Sequence, residues 1–197
     1  MMSYVTNGEY LADEFKWLKL RAKRIMAERV GQTGRYHDGG EDGDVAELRR
    51  EEDRLRSEID ARLAVHREQS TFCLGLDKLC LEHDLDVNER LVVLLLSPAA
   101  IAETLGDEVL GAVGSGGSAW CSAADALMLL GPPTIDDWIR LRSLFLPTGK
   151  LRSSGIVEVR EGASSLGSAG DLSGYLFLSR ESFDVAAGLD ADEPEPG

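Results

Sequence analysis

Two long segments at the start of the chain carry apolar residues every three or four positions, the spacing of one helix face. The first predicts a helix over residues 8–30 with Asn7 as its N-cap, and the second predicts a helix from about Asp44 to Ser70. Residues 31–44 between them contain five glycines and no aliphatic residue, which predicts a loop. The apolar positions are Leu11, Phe15, Leu18, Ala22 and Ile25, then Val45, Leu48, Leu55, Ile59 and Leu63. Together they predict a helical hairpin, a coiled-coil arm that either protrudes or lies flat on the rest of the protein.

From Phe72 onward the pattern predicts a series of shorter and more apolar helices. Asp86 and Thr134 are the expected N-caps of two of them, and Pro98 is expected to interrupt the helix that follows Asp86. The first of these predicted helices ends near His83. The second covers residues 87–96 and is expected to continue at 101–105. Further helices are predicted at 107–113, 119–130 and 135–145.

Beyond residue 150 the hydrophobic period changes to two, which indicates β-strands. Residues 155–160 alternate and are rich in β-branched side chains, residues 175–178 form a second short apolar run, and residues 161–173 read as the loop between them. Helices followed by one β-hairpin are the order of a winged helix-turn-helix, so we expect a mainly α fold of that type. The predicted domains are a helical hairpin arm (1–70), a winged-helix-like domain (71–180) and an acidic disordered tail or linker (181–197).

Composition and charge narrow the class of protein. Hydrophobic residues make up 43% of the 197 residues, enough for a packed core, and the formal net charge of −14 argues against a protein whose main task is to coat nucleic acid. Cysteines are three in number, without paired spacing, which favours free thiols in a reducing cytosol. No signal peptide or membrane-spanning run is present, since the longest apolar run covers residues 91–96, and we therefore expect a cytoplasmic protein.

The sequence lacks the motifs of catalysis, cofactor binding and metal binding. Gly149 and Lys150 resemble the end of a phosphate-binding loop, but the first glycine and the final hydroxyl are missing. Cys80 and His83 share a helix face, yet no second cluster completes a set of metal ligands. No nucleophile–base–acid constellation is recognisable. We therefore expect no enzyme, no cofactor and no metal.

One local segment runs against the overall charge. Residues 138–160 contain five bases and a single acid, Glu158. In a winged helix this segment covers the last helix and the start of the hairpin, which meet the DNA backbone in DNA-binding members. The alternatives are solvated cations that pair with the protein's own acids, or a patch for an acidic protein partner. The candidate partner-binding residues are Arg140, Arg142, Lys150, Arg152 and Arg160.

The order of segments resembles the N-terminal winged-helix (variant) region of a group of bacterial AAA-type ATPases. That family opens with a Y-L-x-[AD]-E helix, matched by residues 10–14 (YLADE). It continues with L-x-x-L-C-x-x-x-x-L-[ST]-x-x-E-R-x-[LV]-L-L-L, to which residues 76–96 are similar, and residues 149–159 resemble its S-x-L-x-x-x-G-[LI]-[VL]-x-[LV] ending. The chain departs from the family at residues 97–101, where A-P-E-L-D is replaced by SPAAI. Nothing after residue 180 resembles a Walker motif.

The resemblance implies a non-enzymatic protein–protein interaction module that recruits substrates or acts as an adaptor. Its partner would be another protein or its own ATPase core, the chain being an excised N-terminal region or a relative that works in trans. A DNA-binding winged helix that uses residues 138–160 is the alternative, although the acidic charge makes nucleic acid less expected. Self-association through the helical arm is a third possibility, and no membrane partner is expected.

Overall fold

The computed structural model describes residues 2–32, 41–111, 121–132, 134–160 and 174–189. The first five helices are α1 (Asn7–Gln32), α2 (Glu41–Gln69), α3 (Gly75–Glu82), α4 (Val87–Ile101) and α5 (Glu103–Leu110). They are followed by β1 (Cys121–Ser122), α6 (Ala123–Leu130), α7 (Ile135–Arg142), a 3-10 turn (Ser143–Phe145) and α8 (Lys150–Ser153). The last elements are β2 (Val157–Arg160), β3 (Tyr175–Leu178) and α9 (Arg180–Ala187). The mainly helical fold predicted from the sequence is confirmed.

Helices α1 and α2 pack against each other as the predicted pair. The stripe on α1 is buried, and the same core contains residues of α4, α5 and α6, so the hairpin lies against the rest of the protein along α1. Helix α2 buries Leu55, Ile59 and Leu63. The N-cap of α1 is Thr6, whose hydroxyl accepts a hydrogen bond from the Glu9 amide at 3.1 Å, and not Asn7 as we predicted. Of the predicted loop at 31–44, residues 33–40 lie outside the described residues, and the prediction is wrong for the rest, because α1 continues to Gln32 and α2 already begins at Glu41.

Helix α4 forms the centre of the core, where its residues 91–98 are all buried. Asp86 caps it as predicted, and Glu89 completes a capping box by accepting a hydrogen bond from the Asp86 amide. The predicted interruption at Pro98 is wrong, because α4 continues to Ile101. The break comes at Ala102, whose extended backbone separates α4 from α5.

The β-hairpin belongs to a three-stranded antiparallel sheet in the order β1-β3-β2. Val157 pairs with Leu178 and Arg160 with Tyr175 in the predicted hairpin, while Cys121 pairs with Leu176. The third strand was not predicted, since residues 119–130 were expected to be helical throughout. In the structure the helix begins only at Ala123, after a capping box made by Ser122 and Asp125. The predicted loop at 161–173 lies outside the described residues.

The chain ends its described part with a helix that packs against α3. Residues 181–187, which we expected to belong to a disordered tail or linker, instead form most of α9, capped by the Ser179 hydroxyl. The Asn7 side chain accepts a hydrogen bond from the Gly75 amide at 2.8 Å and donates one to the Ala186 carbonyl at 3.2 Å. A Cβ atom at Gly75 would collide with the backbone carbonyls of residues 185 and 186. The start of α1, the start of α3 and the end of α9 are therefore in close contact.

Candidate functional site

The five candidate basic residues are spread over α7, α8 and β2. Arg140 is exposed on α7 and lies 3.1 Å from the Asp137 carboxylate. Arg160 on β2 faces Glu158 at 3.4 Å, and its guanidinium lies 4.5 Å from the centre of the Phe177 ring. These two arginines are therefore partly neutralised by acids of their own elements.

The two basic residues of α8 face the protein. The ammonium group of Lys150 lies 3.6 Å from the Glu89 carboxylate and 3.7 Å from that of Asp84, and it also donates to the Asp84 carbonyl. Arg152 donates a hydrogen bond to the Phe145 carbonyl at 3.1 Å. Of the five candidates, Arg142 lines an apolar groove between α6 and α7. The structure does not assemble these residues into one uniformly basic face.

The acidic residue of the YLADE segment forms a buried ionic cluster. Glu14 is fully buried, and Arg56 donates to both of its oxygens, at 2.9 and 3.2 Å. Arg90 donates to Glu14 at 2.5 Å and to the Tyr10 hydroxyl at 2.7 Å. Burial lowers the pKa of Arg90, but the charge of Glu14, the Tyr10 hydroxyl and the hydrogen bonds to both groups together outweigh it, and the pKa is raised. Burial raises the pKa of the Tyr10 phenol.

This cluster joins three helices, because Tyr10 and Glu14 lie on α1, Arg56 on α2 and Arg90 on α4. The residues that carry the resemblance at positions 10–14 and 90 thus hold the hairpin to the core. Since both Glu14 oxygens are occupied and shielded from solvent, the cluster cannot act on a substrate.

A second ionic cluster has the same structural role. Glu52 on α2 is buried and lies 3.2 Å from Arg21 and 2.5 Å from Arg24, both on α1. Arg21 also donates to the carbonyls of Leu129 and Leu130, each at 3.1 Å, at the end of α6. These bonds satisfy carbonyls that the helix end leaves without a partner.

The three cysteines are free thiols in two different environments. Cys80 and Cys121 are buried free thiols, and Cys73 is an exposed one. Burial raises the pKa of the Cys80 thiol to about 11 and raises that of Cys121 as well. Within the described ranges, no three His, Cys, Asp or Glu side chains come together in a way that could hold a metal ion. None of the helices described above combines the length and the apolar character that crossing a bilayer requires.

Helix α7 has an apolar face that stays exposed in the part of the fold that the structure describes. Its only buried residue is Leu141, whereas Ile135, Trp138 and Ile139 are 78%, 38% and 65% exposed. These three residues follow the i, i+3, i+4 spacing of a single helix face. The sequence predicted the helix, but this face was not recognised. The signal was present, since the apolar residues of α7 cover a wide arc of its surface, and only Leu141, at one edge of that arc, enters the core.

This face forms one wall of a groove of about 450 Å³ between α6 and α7, which we call the α6–α7 groove. Leu127 and Met128 of α6 form its apolar floor, with Ala124 beside them. Its polar lining comes from Arg29 at the end of α1, Asp125 on α6 and Arg142 on α7.

A second apolar groove, of about 460 Å³, lies between α1 and α5. Its apolar lining includes Leu11 and Phe15 of α1 and Leu105 of α5. An ion pair between Lys19 and Glu108, 2.5 Å apart, joins the two helices at its side. The hydrogen bond from Lys19 lowers the pKa of Glu108.

Helices packed with a three-stranded antiparallel sheet, in which β1 precedes α6 and the hairpin of β2 and β3 follows α8, are the arrangement of a winged helix. The comparison with protein families agrees: the family model for the winged helix domain, variant, matches residues 1–195, and the chain belongs to that family. No curated protein and no solved structure matches the chain. Winged helix domains act as DNA-binding or protein-interaction modules and are typically non-enzymatic.

Proposed function

We propose that this protein is a non-enzymatic protein–protein interaction module that acts as an adaptor or recruits substrates for an AAA-type ATPase. The observation that carries the proposal is the exposed apolar face of α7. Ile135, Trp138 and Ile139 stay in contact with water although the neighbouring Leu141 is buried. Contiguous apolar patches next to a groove are typical of protein-binding sites.

The arrangement of the polar groups supports a role without catalysis. Glu14, Glu52 and Asp77 are all buried, and each is bonded to at least one arginine of a neighbouring element. A catalytic acid or base must instead reach a substrate, within hydrogen-bond distance or through one water.

The relation to AAA-type ATPases rests on the motif resemblance. Residues 10–14 and 90 match the family pattern, and in this protein they form the joint between α1, α2 and α4. If the residues of this joint are common to this protein and to the AAA-type ATPases, the hairpin and the core are expected to be arranged in the same way in both. In this proposal the ATPase core is the partner, either attached to the module or acting in trans.

DNA binding is the second candidate, because the guanidiniums of Arg140 and Arg160 are exposed. Two features weigh against it. Helix α7 is one of the two helices within residues 119–145 that would enter the major groove, and its exposed side includes Ile135 and Ile139, whose side chains cannot hydrogen-bond to base edges. Three of the five candidate cations lie within 4 Å of the protein's own carboxylates.

A salt titration separates the two functions. Fluorescence anisotropy of a labelled DNA duplex would be measured with micromolar protein at 50 and 200 mM salt. We expect the protein not to bind the duplex at 50 mM salt. If it binds at 50 mM and its affinity falls by about 10³-fold or more at 200 mM, the result would support contacts to DNA phosphates instead. The double variant Arg140→Glu/Arg152→Glu tests such contacts, with the exposed Arg180→Glu on α9 as the matched control. If the double variant lost DNA binding while Arg180→Glu kept it, the adaptor proposal would be contradicted.

The partner itself is tested by affinity purification of the tagged protein from cells that naturally produce it. We expect an AAA-type ATPase among the proteins retained at 200 mM salt. Retention of no protein above an untagged control, together with duplex binding, would overturn the proposal.

Self-association through the helical hairpin stays a separate prediction. Deleting residues 1–70 cannot test it, because α1 belongs to the main core. The charged outer face of α2 offers a milder change, Arg50→Glu/Arg54→Glu. Sedimentation velocity shows self-association if the wild-type mass exceeds that of a monomer and the variant restores the monomer.

A further inference from the structure

The cations beside the α6–α7 groove differ from the other arginines of the protein. Within the described part of the chain, neither Arg29 nor Arg142 forms an ion pair, whereas Arg140, two positions before Arg142, is paired with Asp137. Arg29 lies against the sulfur of Met128, on the groove floor. The guanidiniums of Arg29 and Arg142 are therefore available to a negatively charged group bound in the groove.

The one acid in the lining is already engaged. The Asp125 carboxylate accepts hydrogen bonds from the Ser122 amide at 3.0 Å and from the Ser122 hydroxyl at 2.6 Å. It serves as part of the cap of α6, and in the described residues it forms no ion pair with Arg29 or Arg142. The groove thus combines an apolar floor with a net positive rim, in a protein whose overall charge is −14.

The walls of the groove determine which backbone a partner can present. Both α6 and α7 use their backbone groups in their own helical hydrogen bonds, so the walls offer no strand edge with which an extended peptide could pair. A helical segment satisfies its own backbone groups and needs only side-chain contacts. The high exposure of Ile135 and Ile139 also leaves the groove open along α7, as a bound helix requires.

We propose that the α6–α7 groove binds an acidic amphipathic helix of a partner protein. Apolar side chains of that helix at i, i+3 or i+4 pack on Met128, Trp138 and Ile139, and its carboxylates bond to Arg29 and Arg142. The overall negative charge does not prevent this, because charges more than about 8 Å apart are largely screened at physiological salt. The inference rests on the proposed interaction function and specifies the partner's chemistry.

The probe is a phage-displayed library of random peptides of about 16 residues, long enough for four helical turns. The library is selected against the full chain, and the enriched peptides are synthesised and measured by fluorescence anisotropy. We expect an excess of Asp and Glu together with large apolar residues at helical spacing. Ile139→Ser should weaken their binding by about tenfold or more. The matched control is Leu81→Ser on α3, an equally exposed apolar residue that does not line the groove, and it should leave binding unchanged.

Charge reversal tests the role of the two arginines. We expect Arg29→Glu/Arg142→Glu to weaken the acidic peptides by about tenfold or more and, when the selection is repeated, to enrich peptides rich in Lys and Arg. A merely structural effect of these substitutions would weaken binding without reversing the preferred charge. The inference would be overturned if the wild type enriched basic or uncharged peptides. It would also be overturned if Ile139→Ser and Leu81→Ser weakened peptide binding equally.

The purification from native cells distinguishes this inference from the proposed function. An ATPase retained equally by the wild type and by Ile139→Ser would leave the adaptor function standing and overturn the groove proposal. If acidic peptides bound in a way that depends on Ile139 but no ATPase was retained, the groove proposal would be supported and the proposed ATPase partner would be contradicted.

Discussion

Glu14 is the residue on which the joint between the hairpin and the core depends. It is fully buried and bonded to Arg56 and Arg90, so it compensates two guanidiniums that are themselves largely shielded from water. Removing one member of a buried ionic cluster costs far more than the cluster contributes as a whole, because the remaining charges stay buried without compensation.

We expect Glu14→Gln to lower the free energy of unfolding by about 3 kcal/mol, since the neutral amide leaves Arg56 and Arg90 uncompensated. Urea denaturation followed by circular dichroism measures the change. Glu58→Gln is the matched control, because Glu58 is exposed and pairs with Arg54 at 3.6 Å, and it should shift stability by less than about 0.5 kcal/mol. Equal losses in the two variants would contradict the structural role of Glu14.

The Cys80 thiol makes stability depend on pH at the alkaline end. Burial raises its pKa from the ordinary value of 9.0 to about 11, so between these values the unfolded chain releases a proton that the folded chain keeps. The free energy of unfolding therefore falls as the pH rises through this window. We expect Cys80→Ala to flatten the decrease between pH 9 and 11, and Cys73→Ala, at an exposed thiol, to leave it unchanged. Parallel pH profiles for both variants would exclude this effect.

At the residue level, the sequence indicated which positions matter but not what they do. Tyr10, Glu14 and Arg90 stand in the family pattern, yet the ionic cluster became visible only when α1, α2 and α4 were packed together. Arg56 was missed, because it looks like any other charge on the outer face of α2. Its pairing with Glu14 spans 42 positions, a distance at which local spacing carries no information.

At the level of elements, α4 shows how side-chain caps determine where a helix begins. Asp86 accepts hydrogen bonds from the amides of Asn88 and Glu89 at 2.7 and 2.8 Å, and Glu89 bonds back to the Asp86 amide at 2.9 Å. This local pattern could be predicted because all its members lie within four positions. The strand β1 could not be predicted, since two residues carry no alternation and owe their conformation to pairing with β3.

We expect Asp86→Ala to lower the free energy of unfolding by about 1 kcal/mol, because two amides at the start of α4 lose their acceptor. Asn88→Ala, in the same turn, removes no cap and should be neutral or slightly stabilising. Urea denaturation of both variants and the wild type measures the two changes in the free energy of unfolding. A neutral Asp86→Ala would show that the amides find other partners.

On the scale of the whole molecule, α9 closes the structure by packing on α3 beside the start of α1. The order of helices and hairpin followed from the change of hydrophobic period, but α9 did not, because the acidic composition of residues 181–197 was interpreted as a tail. Ser179 as a cap and Gly188, with a φ of +71°, were the local signals for a helix between them. The acidic composition of residues 181–197 outweighed these two signals in the prediction. Nothing in the sequence indicated the surface of α3 on which the helix packs.

We expect Gly75→Ala to loosen α9, because the added methyl group would collide with the carbonyls of residues 185 and 186. Hydrogen exchange should show faster exchange of amides 180–188, and the free energy of unfolding should fall by about 1–3 kcal/mol. Gly8→Ala is the matched control, since its nearest neighbour would be the Thr6 hydroxyl at 3.9 Å. Unchanged exchange in Gly75→Ala would contradict the close packing of α3 and α9.

The amide group of Asn7 has a mechanical consequence. It bonds to α3 through Gly75 and to α9 through Ala186, so a single side chain ties both helices to the beginning of α1. Asn7→Ala would release both helices at once, while the side chains that line the α6–α7 groove stay as they are, because Asn7 is not among them.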